Sequence, residues 1–339
     1  MSNNPNIFNY ATKELSQDAF LTWLINWASS AYNGNALHDC AVEFINLMLP
    51  RDEEIEVESV KTWQQWKHID IWASINDKVA IIIEDKIGNS IGGMDNGKDQ
   101  LDNYEEETQK WCDENNYKCY FVFLKTGIIK QEERNYLGNR HKNWKIIDRE
   151  GLLKVLNKYV EKIDNNIFCD FVECLNKIET ASNMFLTKNI TEWDYATREG
   201  FYYRLDKAIK ERTGWGYVNN PAGGFLGFWW HWVRCNNKLY DYYLQLQDME
   251  LYIRIDATDV NKDDRVNIRN EAIEFLEQKF TEDERNNILK PRRLSCGNYM
   301  AIKHIKQEYW LVKNANGLVN IDETIQRLKE ISSILDRCK

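Results

Sequence analysis

The run Val79-Ala80-Ile81-Ile82-Ile83 is apolar at both parities and ends abruptly in Glu84-Asp85-Lys86. Strand side chains alternate between two faces, so a run without a polar parity needs cover on both sides. It predicts a central strand of a covered sheet. The closing charges then divide by face: Glu84 and Lys86 point one way and Asp85 the other.

The flanking periodicities fit such a sheet. Phe20, Leu21, Leu24 and Ile25 recur at helical spacing inside residues 14–32, extended by Trp27 and Ala28, and Asn33-Gly34-Asn35 ends that segment. A second helix is expected over 38–48, then a strand over 55–62. Strands at 68–75 and 79–87 flank Asn76-Asp77-Lys78. A glycine-bearing loop, 88–97, leads to a polar helix at 98–114. Strands at 118–124 and 145–147 and helices at 150–162 and 165–180 follow. This order predicts an α/β fold, a mixed sheet flanked by helices.

A boundary is expected near 182–192, giving domains 1–182 and 190–339. The second reads as a helix at 194–212, aromatic-rich strands at 214–219, 225–235, 239–247 and 250–257, a helix at 263–280, strands within 298–312, and a last helix at 321–337. That is an α+β domain with an antiparallel sheet.

Two neighbouring strands carry the chemistry. If 76–78 is a three-residue hairpin loop, residue 75 pairs with 79 and Asp70 stands beside Glu84 on one face, with Cβ atoms about 4.5–5.5 Å apart. Like charges so placed repel unless something compensates, and a divalent cation is the natural compensation. Oxygen ligands favour Mg²⁺ or Mn²⁺ over zinc. A two-residue loop would set Asp70 against Ile83, on the wrong face.

Asp70, thirteen intervening residues, then Glu84-Asp85-Lys86 at a strand end resembles the core of the PD-(D/E)XK nuclease superfamily, the restriction-endonuclease-like fold. The acidic helix start Glu14-Leu15-Ser16-Gln17-Asp18-Ala19-Phe20 and Gln100-Leu101-Asp102-Asn103-Tyr104 on the next helix agree. The likeness covers roughly 7–150 and is nearest an uncharacterised bacterial branch with that E-L-S-Q-D-A-F opening. The usual proline before the first Asp is Ile69 here.

The resemblance implies that Asp70 and Glu84 ligate Mg²⁺ (or Mn²⁺), with the Asp85 backbone carbonyl as third ligand. It implies that Lys86 orients or deprotonates the attacking water, or stabilises the transition state. Glu14 would bind the metal through water, or a second metal, and Asp18 and Glu43 are its rivals as helix acid. Gln100 would steady the nucleophile or scissile phosphate, with Tyr104 one turn on. The Asp85 side chain would point away into a salt bridge. The implied activity is phosphodiester hydrolysis of nucleic acid, DNA by analogy, by an endonuclease rather than an exonuclease, leaving a 5′-phosphate and a 3′-hydroxyl. Defence against foreign DNA is a role such proteins often have.

Charge complicates that picture. Lys plus Arg number 44 and Asp plus Glu 53, a net of −9. Residues 1–180 hold 30 acidic and 20 basic side chains, and residues 181–339 hold 23 and 24. A chain that coats nucleic acid is usually basic. The acidic excess suits a metal site or is a solvated surface. Two alternatives therefore stand beside the nuclease: a catalytically silent nucleic-acid-binding module, and a regulatory protein-interaction factor.

No 18-residue apolar run exists, so a membrane span is not expected. Residues 1–7 do not read as a secretory signal. The eight cysteines form no C-x-x-C, which argues for reduced thiols in the cytoplasm and against structural zinc. A homo-oligomer or a protein partner remains open.

Several features have two readings. His68 either contacts phosphate or is an ordinary polar strand residue, and it is kept out of the core site. The 88–97 loop, with Gly92 and Gly93, lacks the pattern of a nucleotide-binding loop and could form a lip over the site. Phe225-Leu226-Gly227-Phe228-Trp229-Trp230-His231-Trp232 reads as a strand packed on both faces in preference to a base-stacking platform. Lys290, Arg292 and Arg293 either hold phosphate or lie in a solvated loop.

Overall fold

The apolar run becomes the third strand of a five-stranded sheet in the computed structural model, which describes residues 5–88, 97–209, 211–220, 223–235 and 238–339. The chain divides into two compact units, Met1–Thr180 and Ala181–Lys339.

In the first unit, helices α1 (Glu14–Asn26) and α2 (Ala36–Met48) precede strands β1 (Val60–Trp66), β2 (Ile69–Ile75) and β3 (Val79–Lys86). Helix α3 (Gln100–Asn115), β4 (Lys118–Lys125), α4 (Gln131–Arg140), β5 (Trp144–Asp148), α5 (Arg149–Leu156) and α6 (Asn166–Asn183) follow. The sheet order is β1-β2-β3-β4-β5. β1, β2 and β3 are antiparallel, while β4 and β5 run parallel to β3. β3 is therefore central and the sheet mixed, as the sequence predicts.

The two faces of β3 enter two cores. Ile81 and Ile83 pack with Ile71, Ala73, Val122 and Leu124 beneath α1, α2, α5 and α6. Ala80 and Ile82 pack with Trp72, Phe121 and Phe123 beneath α3 and α4. α3 starts at a capping box in which the Asp99 carboxylate accepts from the Asp102 amide and Asp102 reciprocates. Leu101, Tyr104, Thr108 and Cys112 line its buried face at helical spacing, and left-handed Asn116 ends it.

Between β2 and β3 the register is Ile75↔Val79 through Ile71↔Ile83. The connection is thus the three residues 76–78, with Asn76 and Asp77 at φ of 55° and 51°. Such values suit Asn and Asp better than most residues.

β1 departs from the expected 55–62. Its pairing with β2 begins at Val60↔Ile75, where β2 runs out of residues. The backbone groups of the preceding segment go instead to Asn76, whose Oδ1 accepts from the Glu58 and Ser59 amides and whose Nδ2 donates to the Glu56 carbonyl. The strand extends the other way to Trp66, and Lys67 and His68, both at positive φ, turn it into β2. Nothing in Lys67-His68 signals a tight hairpin, which is why this strand end is hard to read. α4 was also unread: Leu137 is its only buried residue, so it lacks a stripe. α1 stops at Asn26, with a separate short 3₁₀ turn at Ser30–Tyr32.

The second unit contains α7 (Tyr195–Ala208), β6 (Thr213–Val218), β7 (Phe225–Arg234), β8 (Asp241–Gln247), β9 (Glu250–Asp256), α8 (Arg265–Glu277), α9 (Glu282–Asn287), β10 (Ile288–Leu289), β11 (Tyr299–Ile305), α10 (Gln307–Trp310) and α11 (Ile321–Asp336). Its sheet is six-stranded and antiparallel, in the order β10-β11-β9-β8-β7-β6. The aromatic run lies in β7, where Phe228 and Trp230 are buried and Trp230 Nε1 donates to Ser332 Oγ of α11 at 3.0 Å. A bulge between Trp230 and Val233 breaks the alternation, and Trp232 stacks on Tyr243 at 5.6 Å. These aromatics pack within the unit's own sheet and core. The expected strand territory to 312 ends at Ile305, and α10 follows.

Candidate active site

Four elements meet where β3 leaves its apolar surroundings. Glu84, Asp85 and Lys86 are 1%, 0% and 8% exposed. β2 brings Asp70 beside them by the three-residue connection. Lys86 Nζ forms an ion pair with Glu84 and lies 3.7 Å from Asp70 Oδ2. It also donates to the Asp85 carbonyl at 3.2 Å. The Asp85 amide donates to Asp70 Oδ2 at 3.0 Å, and Gln65 Nε2 donates to Asp70 Oδ1 at 3.2 Å. Asp70, Glu84 and Lys86 therefore converge.

Glu84 is the unusual member. Both its carboxylate oxygens are buried and, among the described residues, neither has a well-directed hydrogen bond. Burial, with the Asp70 charge adding to it, pushes its pKa up to about 8, although Lys86 opposes the shift. Buried oxygens are normally well paired, so a buried carboxylate beside a second one, with the Lys86 ammonium against one of its oxygens, makes a setting that a divalent cation fits. Burial works against the Lys86 charge, but Glu84, Asp70 and Glu14 outweigh it and raise the pKa above the ordinary lysine value. Lys86 is accordingly an ammonium at neutral pH.

α1 supplies Glu14 at its first residue, whose Oε1 accepts from the Ile87 amide at 3.4 Å. Glu14 also borders an open cleft of about 410 Å³ with Thr12, Lys13, Leu15, Ile87 and Gly88. Of its two rivals, Glu43 is engaged elsewhere, by Lys158 and the Tyr159 hydroxyl. Asp18 is buried against Asp85, and burial with the neighbouring Asp70 charge pushes it up to about 6 despite a hydrogen bond to Asp85.

The Asp85 side chain does point to the α1 side, but it meets an amide rather than a cation. Gln17 Nε2 donates to Asp85 Oδ1 at 2.6 Å, and Thr126 Oγ1 donates to Gln17 Oε1 at 2.7 Å. Burial and the Asp18 charge hold the Asp85 pKa well above the carboxylate range. Gly127 closes the same corner: a Cβ there would overlap the Ile87 carbonyl oxygen, so the strand end fits only against a bare backbone.

Tyr104 of α3 lies within reach of the Glu84 and Asp70 charges, and Gln100 is bonded to it. Gln100 Nε2 donates to the Tyr104 hydroxyl at 2.6 Å, and that hydroxyl donates to the His68 carbonyl at 2.5 Å. Burial, together with the Glu84 and Asp70 charges, raises the Tyr104 pKa, although the Gln100 hydrogen bond works against it. No hydrogen bond joins Gln100 to Asp70, Glu84 or Lys86 among those found in the described residues. His68 enters through its backbone, and its side chain is exposed. Residues 89–96, with Gly92 and Gly93 of the expected lip, lie outside the described residues.

Sequence reasoning missed the Gln17–Thr126 link to Asp85; its one signal was a polar residue three places after Glu14, on the stripe that α1 buries. It also missed Asp99, Asp102 and His141, each of which offers a ligand atom within 4.8 Å of the others. This group could hold a metal ion. Its atoms already have partners, however: Asp99 Oδ2 accepts from Tyr136 at 2.5 Å and lies 2.7 Å from His141 Nε2, while Arg140 Nη2 lies 2.6 Å from Asp102 Oδ2. It is built as the cap network of α3.

Residues 5–187 match the sequence pattern of one known family, described as the PD-(D/E)XK nuclease superfamily. No curated protein and no solved structure gives a significant match.

Proposed function

The chain belongs to the PD-(D/E)XK nuclease superfamily, and on that premise we propose that it hydrolyses phosphodiester bonds of nucleic acid, DNA in preference to RNA, with Mg²⁺ or Mn²⁺ as cofactor. The observation that carries this is the convergence of Asp70, Glu84 and Lys86, with the buried Glu84 carboxylate set beside Asp70 and ion-paired with Lys86.

Asp70, Glu84 and the Asp85 carbonyl would hold the cation, with Glu14 approaching from α1. A divalent cation bound there would supply positive charge against the phosphate and lower the pKa of a bound water. The protein's own groups do the rest. The Lys86 ammonium, held between two carboxylates in a nearly dry setting, stabilises the charge that grows on the phosphate. Its raised pKa favours that role over proton abstraction. Tyr104, fixed by the His68 carbonyl, holds the Gln100 amide, which in this reading would position the scissile phosphate or the nucleophile. An internal cut, as by an endonuclease, and the C-terminal 190–339 domain as the recognition or partner part complete the proposal. Defence against foreign DNA is the matching biological role.

The test is cleavage of supercoiled and linear DNA and of RNA by the purified chain, with and without Mg²⁺ or Mn²⁺. Metal-dependent cleavage that Glu84→Ala or Lys86→Ala abolishes, with the thermal melt retained, is expected. Retention of nucleic acid without cleavage in any metal would establish the silent binder instead, and neither retention nor cleavage the regulatory factor.

A further inference from the structure

The acidic end of β2 and β3 is not the only shaped feature on that side of the sheet. Trp63 and Trp66 of β1, Trp72 and Ser74 of β2, Trp111 of α3 and Tyr117 enclose a cavity of about 190 Å³. Trp66 meets Trp72 at 4.7 Å and 71°, and Trp111 meets Trp72 at 5.0 Å and 89°. Trp66 and Trp111 lie 5.8 Å apart at 78°. These edge-to-face contacts hold the indoles in fixed directions. Trp72 is buried as the floor, while Trp63, paired across the strands with Trp72, is 44% exposed and forms the mouth. Among the described residues, the side-chain polar groups of its lining besides the indole nitrogens are the hydroxyls of Ser74 and Tyr117, 3.1 Å apart.

Size, charge and position narrow the occupant. The cavity is smaller than the roughly 300–1,000 Å³ of sites for drug-sized ligands, so it takes about one flat ring system. Four indoles favour a π-face. A cationic ligand would meet Lys67, whose Nζ lies 5.0 Å over the Trp66 ring, and the Asp77 carboxylate behind the Tyr117 hydroxyl is ion-paired with Lys61 at 2.8 Å. The Lys67 ammonium at the rim suits a group bearing a phosphate. Trp72 follows Asp70 by two residues on β2, about 7 Å along the strand. Trp111 follows Tyr104 by seven residues on α3, about 10 Å along the helix. Trp72 thus shares β2 with Asp70, and Trp111 shares α3 with Tyr104.

We propose that this pocket receives one unstacked nucleobase of the strand being cut, which makes single-stranded or locally extruded nucleic acid the substrate class. The proposal deepens the nuclease reading and rests on it for the identity of the ligand. A base in a duplex is already stacked on its neighbours and cannot enter without leaving the stack. Stacking on tryptophan tolerates every base, so the pocket would select unpaired structure rather than sequence.

The test uses the full chain in chelator, so that nothing is cut, and a labelled short single strand and its duplex as probes. Trp63→Ala, at an exposed position, is expected to weaken single-strand binding about tenfold and leave duplex binding unchanged. Trp63→Phe should restore most of the loss. Single abasic replacements walked along the strand should reveal one position whose penalty is present in the wild type and absent in Trp63→Ala. Equal single-strand affinity of wild type and Trp63→Ala, or abasic penalties that persist unchanged in the variant, overturns the pocket. Saturable binding of tetramethylammonium that Trp63→Ala abolishes also overturns it, in favour of a cation cage. The two readings fail separately. A Trp63 effect on binding without metal-dependent cleavage removes the nuclease and keeps the pocket. Full-rate cleavage of a strand that is abasic throughout does the reverse.

Discussion

Glu84 shows how a single carboxyl links the site to the stability of the chain. Its pKa is about 8 in the folded protein against an ordinary 4.5. A raised acid binds its proton more tightly when folded, so its contribution is fully present below pH 4.5 and is lost as pH rises through 8. Thermal melts of the metal-free protein should therefore fall across that window, and Glu84→Gln should flatten the fall. An unchanged slope in Glu84→Gln would place the titration elsewhere. Excess Mg²⁺ should raise the wild-type melt most at the alkaline end, because the ionised form is the one that binds. Gln17 poses a simpler question. Gln17→Ala leaves Asp85 Oδ1 and Thr126 Oγ1 without their partner, which should cost roughly 1–3 kcal/mol in urea unfolding. An unchanged midpoint would mean that water replaces the amide without loss. The Asp70–Glu84 pairing could be read from alternation because an odd connection, or a bulge that restores parity, is what puts both acids on one face. The Gln17 link could not, because it depends on how closely α1 approaches the sheet.

At the level of elements, α3 carries Tyr104, with Gln100 bonded to it, towards the acids' charges and Trp111 to the aromatic cavity, so its first turn bears on both. The Asp99–Asp102–His141 network holds that turn. Asp99→Ala should destabilise the protein by roughly 1–3 kcal/mol, since it strips a cap and leaves Tyr136 and His141 without their acceptor. The number of Mn²⁺ ions bound tightly in equilibrium dialysis should not change; loss of one would make the network a metal site after all. Strand identity was legible wherever alternation or an unbroken apolar run reported it, as in β2, β3 and β4. It failed at β1, where the hairpin turns on Lys67 and His68 without a glycine or an asparagine. It failed again at α4, which buries too little to leave a stripe.

For the whole chain, the distribution of charge sets the terms of any encounter with nucleic acid. The half that holds the acids carries 30 acidic against 20 basic side chains, so phosphate would meet net repulsion there. Binding to a single strand should consequently be weak in chelator and rise several-fold in Ca²⁺, used as a divalent ion poorly suited to the chemistry. Glu84→Ala should lose the rise, and equal retention in chelator and Ca²⁺ would show that the protein carries the affinity without a cation. Among the described residues, no helix is long and apolar enough to cross a membrane.

Gly127 offers a last consequence. It has no side chain, bears no charge and would touch no substrate, yet even a methyl group there would collide with the chain just past Lys86. A genetic screen for inactive alleles should return it alongside the acids, and a list of hits ranked by chemistry alone would misfile it as noise.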